Sequence, residues 1–169
     1  AQGMDIFLDL AAHLQGRRDI GFLFVGRGTD VSRLKSLASR RALDNVLFRD
    51  EVEPHEVPGL LAQCDVGLVA LDPRHTTHNV PGKFLTYMYA GLPVLARINP
   101  GNDLADLITA AGVGYAHDGE SVEVLVAMVE KLADDSAERK GMALRARGLA
   151  LREFSPAAVA QQILAGLRG

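Results

Sequence analysis

The 169 residues contain one cysteine, Cys64. No disulfide framework can form within the chain, and a reducing, cytoplasmic compartment fits. Cys64 itself, in the mixed run Leu61-Ala62-Gln63-Cys64-Asp65, reads as a small buried hydrophobe. No apolar run approaches the ~20 residues of a membrane span. No signal-peptide pattern is visible at the start. Positive charge is not in excess: the net charge is −3, which gives no general reason to expect a nucleic-acid partner. Internal repeats and low-complexity tracts are missing too. What remains is 48% hydrophobic and 23% charged, ordinary for a soluble globular protein, and its length suits one domain with a sizeable core.

Short apolar runs alternate with helical patterns along the chain. Met4, Phe7, Leu8, Ala11 and Leu14 recur at helical spacing, with Gly16 as a stop. Ile20 to Val25 reads as a buried strand, followed by the turn Gly26-Arg27-Gly28 and a helix capped by Thr29 or Asp30. Val46 to Phe48 is a short strand, and Pro54 suits the first turn of a helix running to about Gln63. Val66 to Leu71, Val94 to Ala96 and Val113 to Ala116 complete the strands. Helices are expected after Gly82, from Asn102 or Asp103 to Gly112, along Val122 to Leu132, over 136–152, and from Ser155-Pro156 through Val159, Ile163, Leu164 and Leu167. The alternation predicts an α/β fold, a parallel sheet with helices on both faces. Doubly wound sheets usually begin with a strand, whereas this chain begins at Ala1 with a helical pattern. The expectation is a fragment whose first strand is missing or lies upstream.

Ligands of such sheets bind outside the carboxyl ends of the strands. The loops there are 26–30, 49–53, 72–82 and 97–102. The longest reads Asp72-Pro73-Arg74-His75-Thr76-Thr77-His78-Asn79-Val80-Pro81-Gly82 and opens onto Lys83. A helix N-terminus beside a lysine favours an anion. Thr86, one turn on, faces the same way as Gly82. An ordinary loop-to-helix joint reads the same. Gly26-Arg27-Gly28 could hold a phosphate or be only a tight turn, since Arg33 stands where a third glycine of a dinucleotide fingerprint could fall. His75 and His78 are three apart, but no third ligand is spaced to join them, so no metal site is expected. No Ser-His-Asp arrangement and no nucleophile elbow is present.

Three segments in order, FLFVGRGTDVSRLKSLA, NVLFRDEVEPHEVPGLLAQCDVGLVAL and VPGKFLTYMYAGLPVLA, resemble the C-terminal domain of GT-B glycosyltransferases, specifically glycosyltransferase family 4. The resemblance covers nearly the whole of residues 1–169, with bacterial enzymes of surface-polysaccharide or lipopolysaccharide assembly as look-alikes. It implies one Rossmann-like half of a two-domain enzyme, the half that holds the nucleotide-sugar donor. The absent N-terminal domain would hold most of the acceptor site. It further implies transfer with retention of configuration, no metal or other cofactor, uridine diphosphate as the carrier, and a glycan or lipid-linked acceptor. Peripheral association with the inner face of the cytoplasmic membrane would belong to the full-length enzyme.

The family carries two glutamates, separated by seven residues, before an Ala-Gly-x-Pro-Val run. Ala90-Gly91-Leu92-Pro93-Val94 matches that run, which puts Thr86 at the second glutamate and His78 at the first. Both glutamates are thus replaced. Thr86 could give the ribose a single hydroxyl contact, and His78 could touch the donor sugar. Lys83 matches a lysine of related branches and is assigned to the diphosphate, as the catalytic charge, with Gly82 and the adjoining Asn79, Val80 and Pro81. Arg49 and Val52 are assigned to the base, and Gly26 and Gly28 match a turn near the site. The family also places an arginine and a lysine just after the first strand, so the fragment alone is expected to bind weakly and not turn over. Two other readings stay open: an epimerase-like enzyme, for which only His75 and His78 offer acid–base groups in the right loop, and a non-catalytic sugar-nucleotide module.

Overall fold

The computed structural model describes residues 3–71 and 80–158, together with 160 and 164. Among them, strands β1 (Phe22–Val25), β2 (Val46–Arg49), β3 (Gly67–Ala70), β4 (Val94–Arg97) and β5 (Gly114–His117) alternate with helices. The helices are α1 (Asp5–His13), α2 (Val31–Arg40), α3 (Val57–Leu61), α4 (Gly82–Ala90), α5 (Asp103–Ala111), α6 (Val122–Asp134) and α7 (Ser136–Glu153).

Each strand pairing is parallel: Phe22 lies opposite Val46, Gly67 opposite Val94, and Val94 opposite Gly114. The expected single sheet is divided, however. β1 and β2 form one sheet, and β3, β4 and β5 form another in that order. Among the described residues no strand joins β1 to β3.

The period-two alternation of strand side chains builds a core on each face. Val94, Ala96 and the adjoining Ile98 meet Phe84 and Met88 of α4, Leu104 and Ile108 of α5, and Ala146 and Leu149 of α7. Leu95 points the other way, into a cluster with Phe7, Leu8 and Leu10 of α1, Phe22 and Phe24 of β1, Leu34 of α2, and Leu125 and Leu132 of α6. Each fully buried side chain of this size is worth about 1.5–3 kcal/mol against exposure.

Helix boundaries follow local chemistry. The Asn102 side chain accepts from Leu104 N–H at 2.9 Å, as a capping residue should. Gly112 ends α5 at φ 59°, where glycine carries no side-chain penalty. Asp30 precedes α2, but its carboxylate reaches Arg33 rather than the helix backbone. The helix expected from Pro54 is shorter: α3 begins at Val57, with Pro58 in its first turn, the place a proline is tolerated. Ser155 caps the final turn, accepting from Ala158 N–H at 3.2 Å. The expected positions Val159, Ile163 and Leu167 lie outside the described residues. Cys64 is half-buried, its thiol donates to the Leu60 carbonyl, and desolvation followed by the Asp65 charge raises its pKa. That fits the inert reading.

Candidate functional site

A cavity of about 1870 Å³ lies between the two half-sheets. Gly26, Gly28, Arg49, Val52, Lys83 and Thr86 all line it. Three segments far apart in sequence therefore reach one cavity. Val80, Pro81 and Gly82, at the entry to α4, are not among the residues that line it. His75, His78 and Asn79 lie outside the described residues.

The turn after β1 is shaped by its glycines. Gly26 has φ 138° and Gly28 has φ 155°, values that L side chains rarely adopt. A Cβ at either would meet nothing within 4 Å, so the requirement is conformational and the space above the turn is open. Gly26 N–H donates to the Arg49 carbonyl at 3.2 Å, which ties the turn to the end of β2. Arg27 pairs with Glu51 at 2.8 Å across the same two loops. Both side chains are well exposed, so this pair adds little stability.

Helix α4 supplies the other wall. Pro81 is its N-cap, in extended geometry with ψ 139°, and among the described residues no side chain caps it. The first N–H groups of such a helix point outward and carry the positive end of its dipole. Lys83 stands in this first turn. Its side chain is exposed, yet the surrounding protein desolvates the ammonium enough to lower its pKa below the ordinary 10.5. Thr86 lies one turn on, and its hydroxyl donates to the Gly82 carbonyl at 3.1 Å. The hydroxyl keeps its lone pairs for a ligand, but its proton is committed to the helix. No carboxylate stands at this position to grip a pair of hydroxyls.

Arg97 does not line the cavity, but it is a buried charge that sequence reading passed over. It ends β4, is 9% exposed, and directs a guanidinium nitrogen to the Leu71 carbonyl at 3.5 Å. That places a buried cation where β3 hands over to residues 72–79. Its signal was present: an arginine interrupts the run Pro93-Val94-Leu95-Ala96-Arg97-Ile98, and arginine is seldom buried without a task or a partner. Asn99 and Asn102, just after it in the chain, are also buried.

Parallel strands flanked by helices, with a cavity rimmed by a glycine turn and a lysine-bearing helix start, define a Rossmann-like α/β fold. The sequence profile described as glycosyl transferases group 1 matches residues 1–135, and the chain belongs to that family. A protein of Pseudomonas aeruginosa named "Probable glycosyltransferase WbjE" is 26% identical over 133 residues, 79% of this chain and 33% of the relative. The chain thus spans about a third of that relative's length. WaaG, a glycosyltransferase involved in lipopolysaccharide biosynthesis, has the same fold over 98% of this chain and 43% of its own, with TM-score 0.70 and 21% identity. A TarM variant of S. aureus, solved with fondaparinux, α-GlcNAc-glycerol and UDP, matches over 97% of this chain and 32% of its own, with TM-score 0.79 and 13% identity. The expected fold and family are both borne out.

Proposed function

We propose that this chain is the donor-binding half of a retaining glycosyltransferase. The parent enzyme moves a sugar from a nucleoside diphosphate, UDP by preference, to a glycan or lipid-linked acceptor held by a second domain. The observation that carries the reading is the convergence of Gly26, Gly28, Arg49, Val52, Lys83 and Thr86 on one cavity. Bond cleavage at the anomeric carbon leaves negative charge on the departing diphosphate. Lys83 and the open N-terminus of α4 are placed to stabilise that charge, and the reading requires no metal. In this reading Arg49 and Val52 hold the base, and Thr86 gives a weak ribose contact. The fold comparisons and the presence of UDP in a TarM complex support the nucleotide as ligand.

Calorimetric titration with UDP, GDP and the nucleosides tests this. One diphosphate should bind at roughly 10 µM to 1 mM, about −7 to −4 kcal/mol. In the full-length enzyme Lys83→Ala should lower donor turnover by about 10²-fold or more. Unchanged turnover would remove Lys83 from the mechanism. A second reading, a binding module without turnover, draws on Thr86, whose hydroxyl proton goes to Gly82. Nucleotide binding to the full-length protein without any transfer would favour it.

A further inference from the structure

We propose that the donor site leaves the 2′-hydroxyl of the nucleotide unread, so that 2′-deoxynucleoside diphosphate sugars fit it as well as the ribose ones. This selectivity rests on the donor-site reading above and names its substrate class. A nucleotide-binding α/β fold ordinarily reads the ribose with a carboxylate, which accepts from the hydroxyl. A site built that way rejects the analogue lacking the hydroxyl, because its own polar group is then stranded. Discrimination therefore needs a carboxylate at the ribose.

Among the described residues, the carboxylates that line the cavity are Asp19, Asp30, Asp44, Glu51 and Asp65. Fold position removes three of them. Asp19 lies before β1, Asp44 before β2 and Asp65 before β3, so all three sit at the amino ends of the strands. The glycine turn follows the carboxyl end of β1, and α4 follows that of β3. The strands between are four residues long, about 13 Å of rise. A ribose is bonded directly to the phosphates that Lys83 would hold, so it stays near the carboxyl ends. The three are also engaged already: Asp19 with Arg17 at 2.8 Å, Asp44 with Arg18 at 2.6 Å, and Asp65 with Arg139 at 3.7 Å. Two carboxylates remain at the correct end. Asp30 turns along α2 to Arg33 at 3.4 Å, and Glu51 pairs with Arg27 at 2.8 Å. Exposed pairs of this kind are weak. Glu51, beside the base residues Arg49 and Val52, is thus the one rival that the test must expose.

Thr86 decides what α4 offers instead. Its hydroxyl donates to the Gly82 carbonyl at 3.1 Å, so it meets a ligand only as an acceptor. The residue is exposed, and water takes the place of an absent ribose hydroxyl there. Nothing is stranded when the 2′-oxygen is missing, so nothing penalises its absence. A carboxylate accepts two hydroxyls at once. A threonine with its proton committed accepts one, and the 3′-hydroxyl, common to both kinds of nucleotide, suffices. Base and diphosphate are likewise common to both. Affinity then comes from Lys83, the start of α4 and the base contacts, none of which touches the 2′ position.

The test is calorimetric titration of the full-length protein with UDP and with 2′-deoxy-UDP, which differ by one oxygen. The two should bind within about fivefold of each other. UDP tighter by about tenfold or more would overturn the proposal, and loss of that margin in Glu51→Gln would name Glu51 as the reader of the ribose. Thr86→Glu places a carboxylate one turn into α4 and should open a gap of about tenfold in favour of UDP. An unchanged ratio in that variant would take Thr86 away from the ribose and overturn the proposal. The position is exposed and glutamate suits an early helical turn, so the variant should fold. Should it not, the comparison in the unaltered protein still decides. Failure of both diphosphates to bind the folded protein would overturn the donor-site reading itself, a result distinct from a ribose preference.

Discussion

The two half-sheets use similar residues and reach different states. In the β3–β5 half, residues 91–99 are buried without a break, with β4 flanked by strands on both edges and helices on both faces. In the β1–β2 half, Val25 is 38% exposed and Leu47 54% exposed, although both lie in apolar runs. Burial is set by the number of covered edges and faces rather than by the composition of a strand. The half that opens on the cavity is also the half that offers the glycine turn and the proposed base pocket.

The contrast can be broken hardest at the core. Phe84 is fully buried between α4 and its neighbours. Phe84→Ala should cost about 3–5 kcal/mol in urea unfolding. Leu47→Ala in the open half should cost under ~0.5 kcal/mol, as at an exposed site. Equal losses would mean that Leu47 is covered in solution. Next in size is Gly26→Ala, which forces a side chain into φ 138° and should cost more than ~1 kcal/mol although no atom is struck. An unchanged melting temperature would show that the turn relaxes freely. Asn102→Ala removes the cap bonded to Leu104 N–H and should cost about 1 kcal/mol. Asn102→Asp should retain most of it, and failure to do so would assign the loss to another contact of Asn102.

Much of this was legible before the coordinates. Short apolar runs found each strand within about two residues, and Asn102 and Gly112 marked the ends of α5 because capping chemistry is local. The division of the sheet was not legible, because the apolar run of a strand does not say which of its edges a neighbour covers. The length of α3 was misjudged from Pro54, since Pro58 serves the first turn equally well. Lys83 and Thr86 were singled out by spacing and resemblance, and both line the cavity. Arg97 was passed over because it stands within an apolar run read only as strand, and burial of its charge becomes visible only once β3 lies beside β4.

The smallest expected effect lies where the halves meet. Lys83 belongs to the closed half and faces the open one, and desolvation holds its pKa below 10.5. A diphosphate favours the charged ammonium, so affinity should be steady near neutrality and fall as pH rises through the depressed pKa. For an exposed side chain, screening limits the loss to ~1 kcal/mol, about fivefold. Stability without ligand should move in the opposite direction. The unfolded chain holds this proton more tightly than the folded one, so stability rises with pH between the depressed value and 10.5. Lys83→Arg should keep nucleotide affinity flat across that interval, and Lys83→Ala should lower it at every pH. An alkaline fall that persists in Lys83→Arg would move the titrating group elsewhere on the cavity wall.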